Sequence, residues 1–263
     1  MPTLLWFRRD LRLHDHPALL DAAAGDGEVL ACYVLDPRLT ASPAARRVQY
    51  LYDALRDLDQ ALDGRLLVTR GRPEQRIPAL ASAVDATSVH ISADFAPFGR
   101  RRDAAVRAAL GAVPLEESGS PYLVSPGRVT KTDGTPYRVF TPFFDAWRRH
   151  GWRPPAQTGP KSARWIEPAD IGGVDVPDPG TELDQPAGER AARRQWRKFV
   201  QSGLDDYAEQ RDRPDLQSTS RMSAHLKFGT IHPRTMAADL GRGRGAQAYL
   251  RELAFRDFYA DVL

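Results

Sequence analysis

Short apolar runs alternate with amphipathic helical patterns over the first 115 residues, and this alternation constrains the fold more than any other feature of the sequence. Four runs, at residues 4–7, 29–35, 66–69 and 89–92, have the length and composition of buried strands. A weaker fifth run lies near residues 113–115. Because strand–helix–strand order is typical of parallel sheets covered on both faces, the sequence predicts an α/β unit with a five-stranded parallel sheet.

The helical patterns between these runs are clearest in one apolar stripe, whose members recur at steps of three and four residues. The stripe comprises Val48, Leu51, Leu55, Leu58 and Leu62. A further helix is predicted over residues 97–110. Pro17 suits the first position of another helix, with His16 and Asp15 directly before it.

The sequence changes character after residue 150. Residues 151–188 are rich in Gly and Pro and lack periodicity, which indicates a long connector. From residue 189 the pattern is helical and contains no strand runs. We therefore predict an α/β domain over residues 1–130, a connector over 131–188 with a helix near 142–150, and an all-helical part over 189–263.

Charge is distributed unevenly between these parts. Residues 189–263 carry 14 basic and 10 acidic side chains, whereas residues 1–188 carry 23 basic and 24 acidic ones. If the chain has a polyanion-binding surface, it should lie in the last 75 residues. Four surplus charges alone, however, fit an ordinary solvated surface better.

Composition indicates the environment in which the chain works. Hydrophobic residues make up 42% and charged residues 27%, and no apolar run reaches the roughly 20 residues of a membrane span. The one cysteine, Cys32, lies in an apolar run and is expected to be a buried thiol in a reducing compartment. We expect a cytoplasmic monomer with no membrane partner and no bound metal.

Four charged residues, Arg8, Arg9, Asp10 and Arg12, follow the first strand directly. Ligands of parallel sheets bind at such strand ends. However, the chain has neither a G-x-G-x-x-G fingerprint after this strand nor a G-x-x-x-x-G-K-[ST] phosphate loop. Pairing of Asp10 with the neighbouring arginines, which would fix the loop, is the better interpretation.

Two segments of the helical part carry side chains with the chemistry to bind a ligand. Residues 219–223, with the hydroxyl-rich sequence TSRMS, precede an apolar helical stretch. They suit either the binding of a phosphate or simple helix capping, and the residues alone favour capping. Further on, Glu252, Phe255, Arg256 and Tyr259 share one helix face. An acid, an arginine and aromatic rings can hydrogen-bond and stack a base, but a buried Glu252–Arg256 ion pair fits equally well.

Four motifs together resemble the DNA photolyase/cryptochrome family. They are LLWFRRDLRLHDHPAL, YRVFTPFFDAWRR, TSRMSAHLKFGTIHPRT and YLRELAFRDFY, and they occur in the family's order. The resemblance implies an N-terminal α/β antenna domain, a long connector and the start of an all-helical FAD-binding domain. It implies light-driven repair of cyclobutane pyrimidine dimers in DNA by electron transfer from reduced FAD. The alternatives are a cryptochrome-type light sensor and a truncated pigment-binding protein without repair activity.

The resemblance also assigns roles to individual residues. It implies FAD contacts for Tyr207, Thr219, Ser220, Arg221, Met222, Ser223, Tyr249 and Arg256. It implies contacts with ultraviolet-damaged DNA for Arg211, Glu252, Phe255 and Arg256, with Glu252 as the catalytic acid that hydrogen-bonds the damaged bases. Phe255 departs from the tryptophan usual in repair enzymes. The charged segment after the first strand becomes a scaffold element.

An antenna pigment is implied by the segment ADFAPFGRRRDAAV. It resembles the deazaflavin-binding branch of the family more than the folate branch. Arg46, Arg47, Asp94 and Arg102 are candidate neighbours of that pigment. Family members continue beyond the last helix of this sequence, so we expect the chain to carry one side of the FAD pocket and to bind FAD weakly or not at all.

Overall fold

The computed structural model describes residues 1–41, 44–169 and 171–262. Its sheet contains strands β1 (Thr3–Phe7), β2 (Val29–Leu35), β3 (Leu66–Arg70), β4 (Val89–Ile91) and β5 (Leu115–Glu117). The strand order is β3-β2-β1-β4-β5, and every neighbouring pair is parallel. The predicted five-stranded parallel sheet is confirmed.

Helices cover both faces of this sheet. They are α1 (Pro17–Ala22), α2 (Pro37–Thr40), α3 (Ala45–Ala61), α4 (Pro73–Ala83) and α5 (Pro97–Leu110). One face of β1 and β2 packs with α1 and α3, and the other packs with α4 and α5. Cys32 is fully buried on the second face, and burial raises the pKa of its thiol. His16 caps α1 by accepting the backbone N–H of Leu19 at 3.1 Å.

The fifth strand begins later than its apolar residues predict. Pro114 has no N–H and therefore cannot donate to a ladder. Its carbonyl accepts the backbone N–H of Val89 at 2.9 Å, and the strand proper starts at Leu115. The outward side chains of β5 are acidic and exposed, which weakens the apolar signal that the sequence offers.

The connector is ordered against the sheet. It contains α6 (Phe140–His150) and a 3₁₀ turn (Pro160–Ser162). Val29 donates its backbone N–H to the carbonyl of Arg164 at 2.8 Å, and Val174 donates to the carbonyl of Val68 at the same distance. These main-chain bonds extend the edge of the sheet unit without forming a regular strand.

The helical part comprises α7 (Glu189–Ser202), α8 (Tyr207–Gln210), α9 (Ser223–Phe228), α10 (Pro233–Asp239) and α11 (Arg244–Val262). Its core includes Trp196, Phe199, Tyr207 and Tyr249, all less than a tenth exposed. No helix within the described residues is long and apolar enough to cross a membrane.

The segment after β1 joins the sheet to the helical part, but its ion pairs differ from the prediction. Asp10 accepts the backbone N–H of Arg8 at 2.6 Å and lies 3.2 Å from His16, rather than pairing with an arginine side chain. Arg8 instead pairs with Asp103 at 2.5 Å. Arg8 points across the sheet edge toward α5, so its guanidinium cannot turn back to Asp10.

Gly229 and Asp15 hold the two parts together. Gly229 has φ +67, and a Cβ there would lie 2.0 Å from the carbonyl oxygen of Arg9. Asp15 is 2% exposed and bonds the Arg234 side chain at 2.6 Å and the backbone N–H of Ala156 at 2.8 Å. Burial would raise the pKa of Asp15, but its hydrogen bond with His232 and the nearby arginines hold it well below its usual range.

Candidate functional site

A cavity of about 260 Å³ lies at the carboxyl edge of the sheet, and a larger one of about 560 Å³ lies in the helical part. We call them the sheet-edge cavity and the helical cavity. The helical cavity brings together the residues that the sequence assigned to FAD, along with the predicted catalytic acid. Those residues are Tyr207, Thr219, Ser220, Arg221, Met222, Ser223, Tyr249, Glu252 and Arg256.

Two tyrosines form a wall of the helical cavity. The rings of Tyr207 and Tyr249 lie 5.1 Å apart, and Tyr249 lies 5.1 Å from Trp196 behind it. The Tyr249 hydroxyl bonds the Ser220 hydroxyl at 2.8 Å. Burial raises the pKa of Tyr207 to about 12 and also raises that of Tyr249, so both phenols are protonated at neutral pH and can donate hydrogen bonds.

The rim of the helical cavity is a concave turn at residues 219–222. Gln195 on α7 donates its side-chain amide to the carbonyls of Ser220 and Arg221, at 2.9 and 3.1 Å. Arg221 has φ +54, and Met222 follows in the right-handed region. Within the described residues the backbone N–H groups of residues 219–221 have no acceptor. Successive N–H groups without an acceptor are able to bind an anion, and we call residues 219–221 the nest.

Helix capping, which the residues alone favoured for this turn, is wrong. The helix α9 begins after Met222, and no side chain caps its first turn. The Ser220 hydroxyl bonds Tyr249 instead, and Ser223 already lies inside the helix. Thr219 and Ser223 thus line the cavity without capping the helix.

Glu252 forms an ion pair that sequence spacing did not predict. Its Oε1 accepts from Arg211 Nη1 at 2.5 Å, across 41 positions of sequence. The alternative Glu252–Arg256 pair does not form among the described residues. Glu252 is 40% exposed at the cavity rim, and its second oxygen accepts no hydrogen bond from the residues described. The carboxylate is thus fixed in position while one acceptor faces the cavity.

Arg256 points from α11 toward the loop before residue 123. It donates to the carbonyl of Pro121 at 2.6 Å and to that of Leu226 at 3.3 Å, and it lies over the Tyr122 ring at 4.8 Å. Burial lowers the pKa of Arg256, but a guanidinium remains charged at neutral pH. Its stem forms part of the cavity wall, and Tyr122 is a neighbour that the sequence did not reveal.

Phe255 lies outside the helical cavity. Its ring stacks on Phe140 of α6, with centroids 3.5 Å apart and planes 9° apart, and Arg251 covers both rings from the side. The helical step of three residues placed Phe255 on the face of Glu252, but α6 occupies that side of α11. Its contact with DNA remains a prediction.

Asp257 is a buried residue that the sequence analysis did not single out. It accepts the backbone N–H groups of Leu123 and Val124, at 3.3 and 2.8 Å, and the indole N–H of Trp147 at 3.0 Å. Burial raises its pKa to about 7. In the sequence, the one feature that could have revealed Asp257 is that it is a single acid within the apolar face of α11. Asp257 fixes the loop that holds Arg256.

The sheet-edge cavity lies where the strand order reverses, beyond the ends of β1, β2 and β4. The guanidiniums of Arg8 and Arg102 lie over the Trp6 ring at 4.9 and 5.1 Å, and Asp94 pairs with Arg102 at 3.4 Å. Arg8 Nε is buried and has no hydrogen-bond partner among the described residues. This is an orphaned donor in a cleft that a ligand could satisfy.

The four predicted neighbours of an antenna pigment fall into two groups. Asp94 and Arg102 line the sheet-edge cavity. Arg46 and Arg47 line a different cleft, which adjoins the helical cavity at Arg221. Among the described residues, no group of three or more His, Cys, Asp or Glu side chains is placed to hold a metal ion.

Comparison with known proteins agrees with this architecture. The DNA photolyase family model matches residues 3–161. The chain belongs to the DNA photolyase family. A deoxyribodipyrimidine photo-lyase from Thermus thermophilus is 40% identical over the whole chain, which spans 60% of that photolyase.

Solved photolyase structures share the fold over the whole chain. A class III photolyase from Agrobacterium tumefaciens aligns with a TM-score of 0.85 and 26% identity, and this chain covers 58% of it. An archaeal photolyase from Sulfolobus tokodaii, solved with two FAD molecules, aligns with a TM-score of 0.81 and 22% identity, with 59% of it covered. The present chain thus spans about 60% of the length of the photolyases that it matches.

Proposed function

We propose that this photolyase-family chain binds FAD in the helical cavity and takes part in light-driven repair of cyclobutane pyrimidine dimers in DNA. One observation carries the proposal. The paired tyrosines, the unbonded N–H groups of residues 219–221 and the carboxylate of Glu252 converge on one cavity. An aromatic wall, a phosphate nest and a rim acceptor are the three features that a flavin dinucleotide and a base require.

The residues present fit FAD by their chemistry. The nest at residues 219–221, together with the Arg221 side chain, would bind the diphosphate. Tyr249 and Leu253 would form the apolar wall against the ring system. Reduced FAD excited by blue light would supply the electron for dimer cleavage, while the protein supplies binding, orientation and exclusion of water.

Glu252 would act on the DNA side of the cavity. An extruded base offers N–H donors on its Watson–Crick edge, and Glu252 Oε2 is an acceptor without a partner among the described residues. Arg211 holds the other oxygen and, at 31% exposure, can also meet a phosphate. Both residues would contact ultraviolet-damaged DNA, and the cofactor would lie behind them.

The sheet-edge cavity would hold an antenna pigment, of deazaflavin rather than folate type. Support comes from the unpaired Arg8 Nε and from the aromatic and charged lining formed by Trp6, Asp94 and Arg102. The two cavities would provide two separate chromophore sites in one chain. They share Arg9 and Lys227, so the two chromophores would be close neighbours.

Titrations with FAD, FMN and riboflavin, monitored by the quenching of flavin fluorescence, test the flavin site. We expect FAD to bind most tightly and riboflavin least, because only the phosphates engage the nest. Affinity should be modest, since Thr219 and Glu252 lie at a solvent-exposed rim.

Arg221→Glu should weaken FAD binding at least about tenfold. Arg242→Glu makes the same charge change at an exposed position outside the cavity and should have no effect. Equal affinities for FAD and riboflavin would refute the phosphate site.

A second candidate function is a light sensor of the cryptochrome type, or a pigment-binding protein without repair. Stacking of Phe255 on Phe140 favours it, because that ring is already engaged by the protein. Affinities for dimer-containing and undamaged oligonucleotides, measured with FAD present, separate the two functions. Repair predicts tighter binding to the dimer, a preference that Glu252→Gln reduces. FAD binding without any such preference would favour the sensor.

A further inference from the structure

The exposed face of α7 carries an uncompensated cluster of basic side chains. Five of the fourteen residues in this helix are basic. Arg190 is paired with Asp57 at 2.7 Å. The other four, Arg193, Arg194, Arg197 and Lys198, form no side-chain hydrogen bond or ion pair with the residues described. We call these four residues the basic face.

No carboxylate on α7 balances the basic face. Glu189, the one acid of the helix, is 8% exposed and points inward. Its oxygens accept the backbone N–H groups of Leu13 and His14, at 2.7 and 3.1 Å. Asp239 lines a groove beside the basic face, but the indole N–H of Trp196 donates to it at 2.8 Å. That bond leaves the Asp239 carboxylate charged, so it offsets one of the four positive charges and the other three remain without a counter-charge on α7.

The opposite face of α7 excludes insertion of this helix into a membrane. A basic amphipathic helix binds lipid by inserting its apolar side chains among the acyl chains. Here Ala192, Trp196 and Phe199 are 0%, 1% and 7% exposed within the core of the helical part. Since these side chains cannot leave the core without unfolding it, the partner must be recognised by charge alone.

We propose that the basic face binds the phosphate backbone of double-stranded DNA, independently of damage and of flavin. Three of its four cations are arginines, whose planar guanidiniums match phosphate bidentately. The four charges are spread over about 7.5 Å of helix axis. Duplex DNA carries one phosphate charge for about every 1.7 Å of its axis, so the charge densities are complementary.

The basic face is separate from the helical cavity. None of its residues lines that cavity, and α7 reaches the cavity rim through Gln195 on another side of the helix. Next to the basic face, the groove of about 360 Å³ also presents Gln201, whose side-chain amide suits phosphate oxygens. The basic face would thus hold undamaged duplex while the helical cavity acts on a lesion.

Salt-dependent binding of an undamaged labelled duplex to the flavin-free chain tests this proposal. The test variant is Arg194→Gln with Lys198→Gln, since glutamine preserves helix propensity. The control is Arg100→Gln with Arg101→Gln, which removes the same charge from exposed positions of α5. Melting curves establish that both variants are folded. Because neither flavin nor a lesion is present, failure here leaves the proposed flavin site untouched.

We expect the slope of log affinity against log salt, between about 50 and 200 mM, to fall by about 1.8 in the test variant. The control should match the parent in slope and in affinity. Equal slopes for test and control variants would overturn the proposal. Binding of polyglutamate as tightly as duplex would also overturn it, because the basic face would then be a site for acidic proteins.

Discussion

The sheet-edge cavity and the helical cavity are built in different ways. The sheet-edge cavity is lined by residues at the ends of hydrogen-bonded strands, and Trp6 and Val34 in its wall are at most 5% exposed. The helical cavity is lined by residues from α8 and α9, helices of four and six residues, and from α11. Its wall depends on long-range side-chain bonds such as Arg211–Glu252 and Tyr249–Ser220.

This difference indicates where the chain is vulnerable. A parallel ladder fixes the sheet-edge cavity by main-chain bonds, which single side-chain changes do not remove. Short helices are marginal without tertiary packing, so the helical cavity depends on its contacts with the sheet unit and with α11. Changes at the boundary should therefore disturb the helical cavity first.

The largest effect is expected at Gly229. Gly229→Ala combines a left-handed φ of +67 with a Cβ only 2.0 Å from a backbone oxygen, so the boundary must shift. We expect a loss of more than about 3 kcal/mol in unfolding free energy, measured by urea denaturation. Gly180→Ala is the matched control, since its φ is +69 and nothing lies within 4 Å of the added Cβ. It should cost about 1–2 kcal/mol. Equal losses would show that the contact between the two parts is unimportant.

Acidification should weaken the same boundary. Burial lowers the pKa of His225 to about 4 and that of His232 to about 3, so both are neutral in the folded chain. The two neutral histidines contribute fully to the unfolding free energy above their unfolded pKa of about 6.5. This contribution is lost as the pH falls toward their folded pKa values. Asp257, whose pKa is raised to about 7, has the opposite effect. The stability that its protonated carboxyl contributes is lost as the pH rises from about 4 to 7.

The two histidines together outweigh Asp257. We expect the unfolding free energy to fall by about 1 kcal/mol between pH 6.5 and 5. Asp257→Asn should make this fall steeper, because it removes the opposing titration while lowering stability overall. Urea denaturation at both pH values measures the difference. Stability that rises on acidification, in the parent chain, would contradict the assignment of neutral buried histidines.

The smallest effect is expected from a single hydroxyl. Tyr249→Phe removes the bond to Ser220 and should cost about 1 kcal/mol. It should also weaken FAD binding several-fold, because the nest loses a lateral support. Tyr259→Phe removes a hydroxyl from a side chain that is 62% exposed and should change neither quantity. Identical behaviour of the two variants would mean that the Tyr249–Ser220 bond does not shape the cavity.

The sheet could be predicted because its signals are local. The apolar runs at residues 29–35 and 66–69 and the stripe from Val48 to Leu62 each report burial within one element. The first position of α1 followed from Pro17. Only β5 was displaced, because a proline interrupts its ladder. The connector was recognised by composition, but its main-chain bonds to the sheet carry no sequence pattern.

The lining of the helical cavity was predictable in membership but not in geometry. Motif resemblance named the residues that line the helical cavity, yet it did not reveal the Arg211–Glu252 pair, which joins positions 41 apart. Helical spacing placed Phe255 beside Glu252, whereas packing of α6 against α11 turned that ring toward Phe140. Such contacts arise from tertiary packing, which periodicity within one helix does not report.

Titration of the ¹⁵N-labelled chain with FAD, followed by amide NMR, tests the central claim most directly. It detects weak binding and locates it. We predict that FAD shifts the amide resonances of residues 219–222, whose N–H groups would meet the diphosphate, and that riboflavin leaves them unmoved. Shifts confined to Asp94, Gly99 and their neighbours at the sheet-edge cavity, or no shifts at residues 219–222 with saturating FAD, would contradict it.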